Sequence, residues 1–267
     1  MISAISHPTD FSPEGQMAFL HALRLAQLYR CRLDLLHVRR PDEDDTFARF
    51  PHVREVLIRW GALEPGATVE DIATKAGVTV RKVEIRDSDA VDGLSTFLLS
   101  HRPDLLVMAT HGRSGLNAWL SGSVSHEVAH ATHIPTLLFG PHATPFVAEA
   151  DGAVALDRAL VPVATNPPAG RALLELHAIT DGLPLALDFV TVGEDVPHLE
   201  GPDGHALPIR SIAGEVIEAI LTEAAASGAG LIIMPTAGQQ GFLDALRGST
   251  TEQVVRRASC PVLALPA

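Results

Sequence analysis

Residues 108–123 read MATHGRSGLNAWLSGS, and residues 234–249 read MPTAGQQGFLDALRGS. The two segments align without a gap at an offset of 126, which superimposes Gly112 on Gly238, Gly115 on Gly241 and Gly122-Ser123 on Gly248-Ser249. Each segment follows an apolar run and precedes a helical pattern, so each is predicted to be a glycine-rich loop between a strand and a helix. Such loops bring backbone N–H groups close to phosphate. The repeat therefore predicts two related α/β domains, each with a candidate anion-binding loop.

Strand and helix patterns alternate outward from both loops. In the first half, strands are predicted at 2–6, 33–38, 78–85, 104–109 and 136–139, and helices from Ser12 onward and at 46–61, 68–76, 91–101 and 122–132. In the second half, strands are predicted at 159–164, 185–192, 207–211, 231–234 and 261–265, and helices at 171–180, 215–227 and 249–258. Strict alternation favours right-handed crossovers and parallel sheets covered by helices on both faces.

The second copy is shorter than the first. Pro8 matches Pro162 at an offset of 154, whereas the glycine loops match at 126, so the second copy lacks 28 residues between these landmarks. A loop at 193–204 stands where the first half has its helical segment. We expect one domain at residues 1–142 and a shortened, degenerate one at 157–267, with a link rich in His, Pro and Ala at about 141–156.

Composition limits the classes of function. The chain has 267 residues, of which 46% are hydrophobic, and 20 basic against 32 acidic residues give a formal net charge of −12. This balance disfavours nucleic-acid binding. The sequence shows neither a membrane span nor a signal peptide. Cys31 and Cys260 are far apart in the sequence, so we expect buried free thiols and a cytoplasmic protein.

The sequence resembles the universal stress protein family in its tandem form. The segments that carry the resemblance are PTDFS at 8–12, LLHV at 35–38 and GSV at 122–124. The resemblance implies an α/β fold of two tandem, doubly wound, five-stranded parallel sheets with strand order 3-2-1-4-5. This fold is Rossmann-like and similar to that of adenine nucleotide alpha hydrolases. Family members pair through their last strands, which implies an intramolecular pseudo-dimer with 136–139 beside 262–265.

The ATP-binding subgroup of the family carries Gly-x2-Gly-x9-Gly-(Ser/Thr), and here Ala109 stands in place of the first glycine. The resemblance implies that Asp10 contacts the adenosine end of ATP, or of another adenine nucleotide accompanied by Mg²⁺, and that Val38 lines the adenine pocket. The residues that would hold the phosphates are Gly112, Gly122, Ser123 and Val124. The candidate site is completed by Pro8, Thr9, Ala109, His111, Gly115 and Arg113. His111 and Arg113 either contact phosphate or are exposed loop residues.

The second half departs further from the pattern. Ala164 stands at the position of Asp10, and Pro235 replaces the first glycine. Without the carboxylate that would contact adenosine, this half is expected to be a structural partner domain.

Residues 126–130 match the His-Glu-x-x-His helix of zinc hydrolases, with His126 and His130 as ligands and Glu127 as base. The second copy has ordinary surface residues on the same helix, so the scaffold tolerates them there, which argues against a zinc site. We expect solvated histidines, with adventitious or regulatory metal binding as the alternative. Neither a metal ligand set nor a catalytic residue is assigned.

The leading hypothesis is an ATP-binding stress-response or signalling protein that at most hydrolyses ATP weakly. The alternative is a nucleotide-free module of the same fold that acts on an unknown protein partner through dimer surfaces, with a homodimer as one arrangement. Zinc-dependent hydrolysis is the remote third hypothesis. No nucleic acid or membrane is expected among the partners.

Overall fold

A computed structural model describes residues 1–41, 43–44, 46–110, 124–166, 169–181, 183–236 and 250–266. Contacts divide the chain into two compact units. The N-terminal unit holds Ile2–Ile134 and Pro145–Val154, and the C-terminal unit holds Pro135–Thr144 and Ala155–Ala267 together with Met1. No helix in the described ranges is both long enough and apolar enough to cross a membrane.

The N-terminal unit is a parallel β-sheet whose strands are connected by helices along the chain. Its strands are β1 (Ala4–Pro8), β2 (Arg32–Arg39), β3 (Thr79–Arg86) and β4 (Leu105–Ala109), in spatial order β3-β2-β1-β4. Its helices are α1 (Pro13–Tyr29), α2 (Val53–Arg59), α3 (Val69–Thr74), α4 (Ala90–His101) and α5 (Val124–Thr132), and a 3₁₀ turn covers Phe47–Arg49. The sheet order reverses direction between β1 and β4, which defines the switch point of a doubly wound fold.

The C-terminal unit repeats this plan. Its strands are β5 (Thr136–Phe139), β6 (Arg158–Pro162), β7 (Ala186–Val192), β8 (Ile209–Ile212), β9 (Leu231–Thr236) and β10 (Val262–Pro266). Its helices are α6 (Gly170–Thr180), α7 (Val216–Ser227) and α8 (Thr250–Arg257). The spatial order β10-β9-β6-β7-β8 is the predicted 5-4-1-2-3 order of the second copy, and all of these pairs are parallel.

Strand β5 of the first copy pairs with β10 of the second. The pairing is antiparallel, with Leu137 opposite Leu263 and Leu138 opposite Val262. Each copy thus contributes its last strand to this pairing. The predicted α/β class and the predicted pseudo-dimer pairing are confirmed.

Helix α1 begins as the sequence predicts. The Ser12 hydroxyl accepts a hydrogen bond from the Gly15 N–H at 3.0 Å, Pro13 occupies the first helical position, and Glu14 lies in the first turn. These are the standard stabilising features of a helix N-terminus. They fix the direction in which the chain leaves β1.

Several predicted bounds shift by one or two residues, and two differences bear on the N-terminal unit. Strand β1 was expected at 2–6 but extends to Pro8, whose partner in β2 is Leu36. The predicted helix at 46–61 is broken into the 3₁₀ turn and α2. Phe50 has an extended backbone (φ −59°, ψ 145°) because Pro51 follows it, and proline disfavours the helical conformation in the residue before it.

The segment between the two copies, Pro145–Val154, folds back as a short hairpin on the N-terminal unit. Val147 and Val154 form an isolated antiparallel bridge, and the Trp60 indole N–H donates to the Glu149 carbonyl at 3.0 Å. Gly152 has a φ of +69°, and a Cβ added there would lie 2.6 Å from the Trp60 ring. Glycine is therefore required both for the turn and for the close approach to the indole.

Candidate functional site

The candidate site lies at the carboxyl ends of three neighbouring strands. Strand β1 pairs with β2 through Pro8 and Leu36, and with β4 through Ser6 and Leu106. Continuing both registers brings Asp10, just beyond β1, between the ends of β2 and β4. In doubly wound sheets this crevice beside the switch point is where ligands bind.

The Asp10 carboxylate is held by the start of α1. Its Oδ1 accepts hydrogen bonds from the Ser12 N–H at 3.0 Å and from the Ser12 hydroxyl at 2.5 Å. A Cβ on Gly15 would lie only 3.0 Å from the same oxygen, so the absence of a side chain at that position leaves room for the carboxylate. Asp10 is thus a half-buried, oriented acceptor at the edge of the sheet.

The turn after β1 is fixed by hydrogen bonds to β2 and by one unusual backbone conformation. The Thr9 N–H donates to the Leu36 carbonyl at 2.8 Å, and the Thr9 carbonyl accepts from His37 Nδ1 at 2.8 Å. The Phe11 N–H donates to the Thr9 hydroxyl at 3.1 Å. Phe11 has a φ of +62°, which is rare for a bulky residue and costs on the order of 1–3 kcal/mol.

The strained turn brings the Phe11 ring into an aromatic cluster, formed by Phe11, His37, Phe47 and Phe50. The Phe11 centroid lies 4.2 Å from the His37 ring and 5.6 Å from the Phe50 ring, and Phe47 lies 5.4 Å from Phe50. The Arg49 guanidinium stands 4.5 Å above the Phe11 ring, within cation–π distance. This aromatic surface adjoins Asp10 along the chain, and sequence reasoning missed it because its members come from three separate segments.

His7 joins β1 to β4 beneath the site. It is fully buried, and its Nδ1 donates to the Val107 carbonyl at 2.8 Å. Burial lowers the pKa of His7 to about 4, and the nearby Asp10 charge opposes this only in part. The ring is therefore neutral at physiological pH and serves to tie the two strands together.

Half of the predicted site residues fall within the described part of the chain. Pro8, Thr9 and Asp10 are at the end of β1, Val38 and Ala109 are at the ends of β2 and β4, and Val124 is the first residue of α5, with 39% of its surface exposed. Ala109 is not among the described non-glycine residues with positive φ, so alanine fits this position without strain. His111, Gly112, Arg113, Gly115, Gly122 and Ser123 lie outside the described residues.

The corresponding edge of the C-terminal unit holds a different carboxylate. Ala164 follows β6 where the first copy has Asp10, but the next residue, Thr165, donates its hydroxyl hydrogen to Asp195 Oδ2 at 2.9 Å. Asp195 comes from the loop after β7 and is exposed. The sequence offered no signal for this contact, because the two residues are 30 positions apart in segments without a shared motif.

The histidines of α5 do not form a metal centre with other described residues. Among the described side chains, no group of three or more His, Cys, Asp and Glu is arranged to hold a metal ion. The pKa of His130 is lowered by partial burial and by the neighbouring His133 and His126. The His130 and His133 ring centroids are 6.2 Å apart.

Comparisons with known proteins agree with the fold. A family model described as the universal stress protein family matches residues 1–140 and 194–266. A universal stress protein from Archaeoglobus fulgidus aligns over 98% of this chain and 96% of its own, with 21% identity and a TM-score of 0.64. A protein of unknown function from Pseudomonas aeruginosa aligns over 99% of this chain and 92% of its own, with 14% identity and the same TM-score. No curated protein matches the sequence.

Proposed function

The chain belongs to the universal stress protein family, and from that premise we propose that its first half binds an adenine nucleotide, with ATP as the leading ligand. The proposed site lies at the carboxyl ends of β1, β2 and β4. Its role would be to report nucleotide level to a stress-response or signalling partner.

The observation that carries the proposal is the placement of Asp10 at the switch point. Its carboxylate is oriented by the Ser12 N–H at 3.0 Å and the Ser12 hydroxyl at 2.5 Å. An oriented carboxylate is suited to accept hydrogen bonds from the hydroxyls of a ribose. Val38, at the end of β2, and Phe11, the residue after Asp10, would offer apolar surface to the base. The segment that begins after Ala109 would hold the phosphates through Gly112, Gly122, Ser123 and Val124, with Mg²⁺ as counter-ion.

The hydrogen bonds of the histidines near this edge favour nucleotide binding over nucleotide hydrolysis. Each of His7 and His37 donates its Nδ1 hydrogen to a backbone carbonyl, of Val107 and of Thr9 respectively, at 2.8 Å. Because His7 is fully buried and its Nδ1 hydrogen is committed to the Val107 carbonyl, the ring is out of reach of a ligand, and its role is structural rather than that of a general base. We therefore propose a nucleotide sensor and not a dedicated ATPase.

Mass spectrometry of the denatured protein, combined with calorimetry with MgATP and AMP, tests the proposal. We expect bound adenine nucleotide, and we expect Asp10→Asn to weaken binding by about tenfold or more, because a charged hydrogen-bond acceptor is lost. Asp10→Asn retains an oxygen for Ser12, so the start of α1 should persist. Asp195→Asn in the C-terminal unit is the matched control and should leave affinity unchanged.

A protein with no bound nucleotide and no affinity stronger than millimolar would overturn the proposal. The remaining hypothesis would then be a nucleotide-free interaction module. The pairing of β5 with β10 already uses one edge of each of these strands within the chain. A homodimer would therefore need another surface, and light scattering with and without MgATP would detect it.

A further inference from the structure

A cavity of about 400 Å³ lies between the 3₁₀ turn, α2, α3 and β3 of the N-terminal unit. Its lining includes Phe47, Val53, Val69, Ile72, Val80 and Lys82. The volume lies within the range of small-molecule sites in proteins. Of the proposed nucleotide-binding residues that the structure describes, Pro8, Thr9, Asp10, Val38, Ala109 and Val124, none lines this cavity.

The apolar residues that line the cavity form a buried floor and an exposed rim. Val53 and Ile72 are buried and form the floor. Phe47 and Val69 are exposed by 51% and 67%, although both are large hydrophobic side chains. Apolar side chains that stay exposed around a concave apolar floor are typical of a surface that is covered by a ligand.

Lys82 adds a positive charge to this mostly apolar cavity lining. It is half-buried, and its ammonium lies 5.9 Å from the centroid of the buried Phe50 ring. Val80, Lys82 and Glu84 alternate along β3 and therefore share one face of the sheet. Desolvation lowers the pKa of Lys82.

Glu84, on the same strand as Lys82, and Glu55, in the cavity lining, pair with other residues. Glu84 accepts hydrogen bonds from the Thr46 N–H at 2.9 Å and the Thr46 hydroxyl at 2.5 Å, and it forms an ion pair with Arg39 at 3.4 Å. Glu55, on the rim, faces His52 at 3.4 Å. Among the described residues, no carboxylate lies within ion-pair distance of the Lys82 ammonium.

The lining also has an excess of positive charge. Among the lining residues that the structure describes, Lys82 and Arg54 are cationic and Glu55 is the single carboxylate. A half-buried cation that no described carboxylate pairs with gains most from a ligand that brings an anionic group, since desolvation strengthens the attraction.

We propose that this cavity binds a small amphipathic carboxylate. Its apolar body would lie against Val53, Val69 and Ile72, and its carboxylate would pair with Lys82. The chemistry requires a single anionic end and an apolar chain or ring. The proposal is independent of nucleotide binding.

Calorimetry with dodecanoate, kept below micelle-forming concentrations, is the first test. Dodecyltrimethylammonium and 1-dodecanol have the same chain length but a cationic and a neutral end. We expect saturable binding of dodecanoate at least about tenfold tighter than that of either comparison compound, because a charged pair is formed only with the carboxylate. Equal binding of the cation, or no binding of dodecanoate, would overturn the proposal.

Lysine labelling provides an internal control, because the chain contains two lysines, Lys75 and Lys82. Lys75 is exposed and pairs with Asp71 at 2.8 Å on α3. Reductive methylation followed by mass spectrometry should show that dodecanoate protects Lys82 several-fold and leaves Lys75 unchanged. Equal protection, or none at Lys82, contradicts the assigned orientation of the ligand.

Matched variants complete the test. Lys82→Met retains the apolar stem and should weaken dodecanoate binding at least about tenfold, whereas Lys75→Met should not. Val69→Glu, on the exposed rim, should weaken binding as well, and Val216→Glu, which changes another exposed valine, should have no effect. All four variants should leave MgATP binding unchanged, so a failure here is distinguishable from a failure of the nucleotide proposal. Wild-type dodecanoate affinity in Lys82→Met would refute the site.

Discussion

The His21 imidazole accepts a hydrogen bond at 3.1 Å from the backbone N–H of Phe146, which is 125 residues away in the sequence. The same Nε2 also accepts from the Val147 N–H at 3.1 Å, while Nδ1 donates to the Met17 carbonyl at 2.8 Å. Both ring nitrogens therefore have fixed roles, and the tautomer is the one with hydrogen on Nδ1. The ring also contacts the Phe146 ring edge-on at 4.5 Å. His21 thus fastens the hairpin at Pro145–Val154 to helix α1.

Replacing His21 with Phe should destabilise the protein by about 2–4 kcal/mol at pH 7.5. The substitution keeps a ring of similar shape but leaves two buried backbone N–H groups without an acceptor, and each costs about 1–3 kcal/mol. Urea unfolding measures the change in the free energy of unfolding. His198→Phe, at a side chain that is 78% exposed, should change this free energy by less than about 0.5 kcal/mol. Equal effects of the two substitutions would contradict the role given to His21.

The same contact predicts that acid destabilises the protein. Burial lowers the pKa of His21 to about 4 in the folded state, below the ordinary value of 6.5 expected for the unfolded chain. The unfolded state therefore binds a proton first as the pH falls, so stability is complete above pH 6.5 and is lost between pH 6.5 and about 4. His21 should account for a loss of roughly 2 kcal/mol by pH 5. Urea unfolding of His21→Phe at pH 7.5 and pH 5 should show a smaller difference than the wild type, and an unchanged difference would refute the assignment.

The two copies share an ion pair at equivalent strands but bury it to different degrees. Asp34 on β2 is fully buried and accepts two hydrogen bonds of 2.9 Å from Arg81 on β3, and Arg32 approaches the same carboxylate at 3.2 Å. Asp188 on β7 pairs with Arg210 on β8 at 2.9 Å, but its side chain is partly exposed.

We predict that Asp34→Ala destabilises the protein by about 2–3 kcal/mol, since the buried carboxylate loses its charged hydrogen bonds to Arg32 and Arg81, whereas these arginines, 38% and 39% exposed, stay partly solvated. Asp188→Ala should cost about 1 kcal/mol or less, because exposed ion pairs are weak. Chemical unfolding of both variants measures the contrast. Similar losses of unfolding free energy in the two variants would show that burial does not determine how much this ion pair stabilises the protein.

Much of the architecture could be predicted because it follows local rules. The alternation of apolar runs and helical patterns predicted the strands, and the family resemblance implied the partner of β5, since family members pair through their last strands. The position of Asp10 beside the end of β4 followed from the strand order implied by the family resemblance. These inferences depend on hydrophobic periodicity and on motif spacing, both of which can be recognised within short stretches of the sequence.

Contacts between distant segments could not be predicted. Nothing near His21 indicates that its acceptor nitrogen meets Phe146, and nothing near Thr165 indicates Asp195. Pro51 is a local indication that the predicted helix breaks at Phe50, but the apolar pattern of 46–61 favours one continuous helix. The conformation of Phe11 depends on contacts with β2 and with the 3₁₀ turn, which exist only after folding.

The cysteines should be unreactive in the folded protein. Cys31 and Cys260 are free and buried, as the sequence predicted, and burial raises the pKa of each thiol to about 11. Only about a thousandth of each thiol is therefore ionised at pH 8, and the thiolate is the reactive form. Ellman's reagent should react slowly with the native protein and should detect two thiols at once in urea. Rapid native reaction at either residue would contradict its burial.

The alanine that replaces the first glycine of the nucleotide motif should be tolerated. Ala109 ends β4 with an ordinary strand backbone, so it needs no positive φ and gains nothing from the freedom of glycine. We expect Ala109→Gly to change MgATP affinity, measured by calorimetry, by less than about threefold, and to lower stability by about 0.5–1 kcal/mol through added freedom of the unfolded chain. A gain in affinity of tenfold or more would instead show that the Ala109 methyl group obstructs the phosphates. If Asp10→Asn changes the MgATP affinity and Ala109→Gly does not, the end of β1, and not the end of β4, determines which ligand is bound.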